Sequence, residues 1–189
     1  WTLSYHMAGT QNFLLALGMG EKAKIAKMLR QLMPATIAFI NAQFRAGADI
    51  VVLADHATGN LVGPYHYEEH LLPIHQEITA QVGGPLILHV CGNCSDRLEL
   101  FARSGVDGYH FEWQVDSQDA VRRVGQDISL VGNINNPQIL LQGTPEDVFK
   151  QARYAIEAGV HIIAPECAIP LSTPLENLRA IVEAAREGY

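Results

Sequence analysis

The chain alternates between two hydrophobic rhythms. Short apolar runs rich in β-branched residues are bounded by turn residues and read as strands: ADIVVLAD (48–55), PLILHVC (85–91), GYHFEW (108–113), ISLVGNIN (128–135) and HIIAPEC (161–167). Such short continuous apolar runs, as opposed to polar–apolar alternation, are those of a parallel sheet covered on both faces. Helical periodicity fills the intervals. EKAKIAKMLRQLM (21–33) predicts a helix that Pro34 breaks or restarts before ATIAFINAQFRAG (35–47), where Gly47 ends the second helix. After a loop over 56–66, YEEHLLPIHQEITAQVGG (67–84) predicts a helix kinked at Pro73. SDRLELFARSG (95–105) opens on capping Ser and Asp and stops at Gly105, and DSQDAVRRVG (116–125) is a further helix. Thr144, Pro145 and Asp147 supply an N-cap, a first-turn proline and a capping-box acid before VFKQARYAIEAG (148–159). Ser172, Thr173, Pro174 and Glu176 start the last helix in the same way.

Five strands alternating with helices in units of about 25–40 residues give the βαβ rhythm of an α/β fold. An open doubly wound sheet and a closed (β/α)8 TIM barrel share it. Two features favour the barrel. No glycine-rich phosphate fingerprint follows any strand. Polar residues gather instead at the C-terminal end of every strand, where barrel enzymes build their sites: Asp55, His89 with Cys91, Glu112, Asn133 with Asn135, and Glu166 with Cys167. Five units are too few to close eight strands, and the chain opens on WTL without an initiator Met. Residues 1–189 are therefore expected to be the C-terminal part of a single TIM-barrel catalytic domain, holding about its last five units.

Composition narrows the class further. With 189 residues, 48% hydrophobic and 17% charged, the chain can bury a sizeable core. A net charge of −7 without any basic run argues against nucleic acid. No apolar stretch approaches the roughly 20 residues that span a bilayer, and no signal peptide is evident, so no membrane partner is expected. Three cysteines suggest no disulfide framework and fit a reducing cytoplasm, where clustered Cys and His are metal-binding or catalytic more often than cross-linked.

His89 and Cys91 stand at i and i+2 of one strand, so both side chains face one way, and a second strand can bring Cys167 over them. One imidazole and two thiolates make a zinc site with one position open, the arrangement of catalytic zinc. A core His and a core Cys would look the same in the isolated pair; Cys167 at the same rim favours the metal. Cys94 forms a C-x-x-C with Cys91 but has no second such pair, and is read as a bystander. Glu112 is a candidate fourth ligand or a pocket carboxylate. Asp55 could orient the metal histidine or a substrate as a catalytic group, or cap the following turn. Asn133 and Asn135 offer neutral hydrogen bonds to substrate or cofactor, or shape a loop. His110 could share the face of Glu112. His66 and His70 are spaced i,i+4 but lack the Glu of an H-E-x-x-H motif and are expected to be solvated. No Ser-His-Asp set stands out.

The stretches LILHVCGNCSDRLELFARSGVDGYHFEWQVD, LVGNINNPQILLQGTPEDV and AGVHIIAPECAIPLSTPLENLRAIVEAARE resemble the uroporphyrinogen decarboxylase superfamily, and within it the zinc-dependent, corrinoid-linked methyltransferases such as methylcobamide:coenzyme M methyltransferase. The resemblance covers nearly the whole chain. GN and TPLEN are shared with the decarboxylases, whereas H-x-C with a distant Cys is not. The resemblance implies Zn2+ on His89, Cys91 and Cys167, with Glu112 matching the carboxylate after the next strand. It implies transfer of a methyl group from methylcobalamin on a corrinoid protein to a small-molecule thiol such as coenzyme M. The loop DHATGNLVGP departs from the methyltransferase pattern. Two other readings remain: a metal-independent decarboxylase of tetrapyrrole side chains, for which Asp55 matters and the cysteines do not, and a non-catalytic corrinoid or zinc carrier.

Overall fold

Each of the five apolar runs becomes one strand of a single parallel sheet in the order β1-β2-β3-β4-β5: β1 Val51–Asp55, β2 Leu86–Val90, β3 Gly108–His110, β4 Ser129–Ile134 and β5 Ile162–Pro165. The computed structural model describes residues 1–188. Sequential strands lie side by side, as unbroken βαβ winding requires, and with its helices the sheet forms an arc of a (β/α) barrel. One strand is shorter than its sequence suggests. β3 ends at His110; Phe111 N–H still bonds the Val131 carbonyl of β4 at 3.0 Å, and the chain then turns out of the sheet, Val115 N–H bonding the Glu112 carbonyl at 3.0 Å.

Three helices precede the sheet, α1 Thr2–Ala8, α2 Thr10–Gly18 and α3 Lys22–Arg45. The expected break at Pro34 does not occur, for α3 runs through it. Pro34 lies on the exposed side, so the carbonyl left without its partner can be solvated. Pro73 likewise produces no internal kink. It falls in the first turn of α5 Leu72–Thr79, where its missing N–H has no partner to lose. The irregularity lies just before it: a short α4, Pro64–His66, leads into a π-helical turn, Tyr67–Leu71, that joins α5. Downstream, a 3-10 turn Ser95–Arg97 opens α6 Leu98–Ala102, followed by α7 Ser117–Val124, α8 Pro145–Ala158 and α9 Leu175–Gly188. The capping box at Thr144 and Asp147 forms as its sequence specifies.

The pleat sorts side chains onto two faces. Leu86, Leu88 and Val90 point to the helical layer and are almost completely buried, as are Tyr109 and Phe101, whose rings meet at 4.4 Å. The other face is the barrel interior. In register, Val52, Ile87, Gly108, Ser129 and Ala54, His89, His110, Val131 are paired across it, with Ile162 next to Val131. Val52 at one edge strand and Ile162 at the other are 55% and 44% exposed, because the sheet is an open arc among the described residues. No helix of these residues is long and apolar enough to cross a membrane.

Candidate metal centre

β2 delivers His89 to the interior face and Cys91 one residue past its end. The chain then turns sharply through Gly92, whose φ of 78° suits glycine and where a Cβ would come within 2.3 Å of Thr58 Oγ1. Cys91 Sγ lies 3.2 Å from His89 Nε2 and 3.5 Å from the Sγ of Cys167, which follows β5. Glu112, on the loop after β3, completes the group: His89, Cys91, Glu112 and Cys167 each place a ligand atom within 4.8 Å of all the others. Three non-adjacent segments thus converge at the C-terminal rim.

The donor set and spacing suit zinc. Bonds of about 2.0–2.3 Å in a tetrahedron separate ligand atoms by roughly 3.3–3.8 Å, close to the sulfur–sulfur and sulfur–nitrogen distances here. His89 is held in the tautomer a metal needs. Its Nδ1 donates to the His110 carbonyl at 3.2 Å, which leaves the Nε2 lone pair facing the sulfurs. Burial also holds the His89 imidazole below the ordinary histidine range, the bond to the His110 carbonyl opposing it. Cys91 is pushed up to about 12 by burial and then by Cys167 and Glu112, so without a cation the group resists ionisation. A divalent ion inverts that logic, since thiolates and carboxylate then neutralise it.

The surroundings position the ligands. Glu166 is buried, and its two oxygens accept Asn136 N–H at 3.0 Å and Trp113 N–H at 3.2 Å. One carboxylate therefore ties the loop of Glu112 to the segment that holds Cys167, because the Asn136 side-chain amide donates to the carbonyls of Cys167 and Ala168 at 3.2 and 3.1 Å. Burial raises the Glu166 carboxyl above its ordinary range, the two backbone bonds working against the shift. His110 donates from Nε2 to the Pro165 carbonyl at 2.7 Å and packs 4.5 Å from the His89 ring. It braces the site and takes no part in the ligand group. Cys94 is fully buried with its thiol toward the Cys91 carbonyl, a bystander as expected.

Three polar strand-end residues of the rim pattern are engaged away from the ligand group. Asp55 pairs in register with Val90, not His89, and so projects into the helical layer. There it accepts His75 Nε2 at 3.2 Å, the Thr2 amide at 2.9 Å and the His56 amide at 2.8 Å. Both nitrogens of His89 are engaged without it, so Asp55 does not orient the metal histidine. Asn133 is spent internally: its amide donates to the Val115 carbonyl at 2.9 Å while its oxygen accepts the Ser117 hydroxyl at 2.8 Å, which fixes the loop after β3. Asn135 caps the turn that follows β4, accepting Gln138 N–H at 3.0 Å. Sequence reasoning passed over Asn136, which has only a polar side chain beside Pro137 to mark it, and gave Glu166 no role beyond its place at the rim. His70, expected to be solvated, is buried.

Fold and site together define a (β/α)-barrel chain with an imidazole–thiol–carboxylate cluster at the C-terminal rim. The sequence profile of uroporphyrinogen decarboxylase (URO-D) matches residues 1–188, and the chain belongs to that family. Among curated relatives, a methylated-thiol–coenzyme M methyltransferase of Methanosarcina mazei is 31% identical over 99% of this chain and 51% of its own length. The methylcobamide:CoM methyltransferase MtaA of Methanosarcina barkeri is 36% identical over 82% of this chain and 46% of its own. A uroporphyrinogen decarboxylase of Coxiella burnetii is also 36% identical, over 98% of this chain and 55% of its length. A solved methyltransferase from Methanosarcina mazei superposes with a TM-score of 0.94 at 29% identity, over 98% of this chain and 56% of that one. The chain spans about half the length of the relatives it matches.

Proposed function

We propose that this chain carries the zinc-binding half of a methyltransferase that moves a methyl group from a methyl-corrinoid protein to a small-molecule thiol of the coenzyme M type. The observation that carries the reading is the convergence of His89, Cys91, Glu112 and Cys167. The similarity to methanogen methyltransferases supports it. Residues 1–189 are taken as the C-terminal part of one barrel domain, working in a reducing compartment that keeps Cys91, Cys94 and Cys167 as free thiols.

His89, Cys91 and Cys167 would hold zinc, with Glu112 as the exchangeable fourth ligand. Bound zinc supplies a Lewis acid that lowers the pKa of an acceptor thiol. A methyl-corrinoid would supply the methyl group and take up the electron pair it leaves, the acceptor thiol giving its proton to solvent. Within the chain, His110 keeps the His89 lone pair aimed inward, Glu166 and Asn136 hold the two loops at a fixed separation, and Asn133 shapes the loop that presents Glu112. Asp55 enters only as a buried brace between β1 and α5.

Decarboxylation of tetrapyrrole acetates is less favoured. Its substrate needs cationic partners, yet Arg97, fully buried behind the loops, spends its guanidinium on the Ala57 and Val62 carbonyls and on Asp96. The test is zinc per chain by elemental analysis, beside methylcobalamin-to-thiol transfer, in the full-length parent and Cys167→Ser. One zinc bound at this centre in the parent, lost together with methyl transfer in the variant, is expected. Full methyl transfer by Cys167→Ser would overturn the reading.

A further inference from the structure

A second cluster of metal-ligating side chains lies away from the rim, on the π-helical turn and its approach. His66, Glu69 and His70 place ligand atoms within 4.8 Å of one another. The two imidazole rings are stacked, 6.2 Å between centroids and 11° from parallel. His66 Nδ1 is buried without a hydrogen-bond partner, and Glu69 Oε2 has only the His70 Nε2 beside it, at 3.4 Å. Such orphans cost free energy unless something satisfies them. The order along the chain, H-Y-E-E-H, matches H-x-x-E-H, in which the two imidazoles at i and i+4 bind zinc and the Glu serves as a base; here only the histidine spacing follows that pattern, and Glu69 joins the cluster by its position. Here a π turn carries it, a local widening frequent at functional positions.

We propose that His66, Glu69 and His70 form a second binding site for a first-row divalent transition metal, independent of the rim cluster. Two imidazoles and one carboxylate are the ligands such ions share, and softer or harder cations are less well served. The neighbouring Glu68 is turned outward to Arg103, so Glu69 alone supplies the carboxylate. Burial keeps the His70 imidazole below its ordinary range; Glu69 opposes the shift, and His66 and Lys22 reinforce it.

Charges from the packed elements bear on affinity. Lys22, from α3, pairs with Glu69 Oε1 and reaches the Tyr65 hydroxyl at 3.1 Å, and Glu21 lines the same cleft. The ammonium occupies one carboxylate oxygen and leaves Oε2 for the metal, so it weakens binding by its charge without closing the site. Lys22→Met should tighten zinc by roughly threefold to fivefold, the worth of a surface ion pair.

The test uses the full chain carrying Cys91→Ser and Cys167→Ser, which removes the sulfur ligands of the rim. It is titrated with Zn2+ and, in parallel, with Co2+. The expected result is one zinc equivalent remaining, a cobalt spectrum without thiolate charge transfer, and a rise in thermal midpoint on adding zinc. Loss of that equivalent in His66→Ala, with unchanged circular dichroism, and tighter binding in Lys22→Met complete the expectation. Absence of zinc from the double-Ser protein, retention of it after His66→Ala, or no tightening in Lys22→Met would overturn the proposal. Failure of the rim site shows separately, as an equal zinc content in the parent and the double-Ser protein.

Discussion

Single side chains decide the chemistry of the rim and the stability of the layer behind it. Glu166 illustrates the first. A glutamine there has one acceptor oxygen for two backbone donors and would aim its amide N–H at one of them, so Glu166→Gln should loosen the loops of Glu112 and Cys167. We expect zinc affinity to fall about 10–100-fold, read by chelator competition, with the fold intact; unchanged affinity would remove Glu166 from its positioning role. Asp55 illustrates the second. Burial opposes its ionisation, but the hydrogen bonds it accepts from His75, the Thr2 amide and the His56 amide favour the carboxylate and hold it below its ordinary range. Its folded pKa thus lies below the unfolded value of about 3.9, so the folded state binds fewer protons. Its stabilisation is complete above about pH 4 and is lost as pH falls through the lower, folded value. Asp55→Asn should cost on the order of 2–3 kcal/mol at pH 7 without changing rim zinc, and the gap in thermal midpoint should shrink below about pH 4. A gap that persists into acid would mean that shape, not charge, matters at this position.

Elements were legible to different degrees. The capping box of α8 is local chemistry, Thr144 and Asp147 bonding each other's backbone, and its sequence signature was sufficient. All five strands were recognisable because each is a short apolar run between turns. β3 was overestimated because Glu112 and Trp113 look like strand residues while the backbone after Phe111 turns away from the sheet. Pro34 was misjudged as a breaker. Packing of Ile25, Leu29, Met33 and Ile40 along one side of α3 outweighs one missing hydrogen bond. That missing bond gives a prediction: Pro34→Ala should stabilise the protein by about 1–3 kcal/mol in denaturant unfolding. Destabilisation would show that the proline ring has packing of its own to lose.

At the scale of the molecule, the rim cluster joins segments after β2, β3 and β5, with β4 reached through Asn133 and Asn136. A ligand that binds only when these are assembled should stabilise the whole sheet. Free zinc at about 100 times its dissociation constant should add roughly 2.7 kcal/mol to unfolding free energy, and a chelator should remove it. No shift in the midpoint would mean that zinc does not bind the folded chain.

By itself the sequence determined which residues could ligate, because donor chemistry is a property of residue type, and which stretches were strands and helices, because periodicity and capping act over a few residues. His89 and Cys91 were already paired by their i,i+2 spacing. Only the tertiary structure decided the partners. Register between strands chose the face of Asp55, and chain crossings of 76 residues brought Cys167 to Cys91. A π turn set two helical histidines face to face. Those outcomes depend on packing between distant segments, and a side chain one residue out of register points to the opposite face of the sheet.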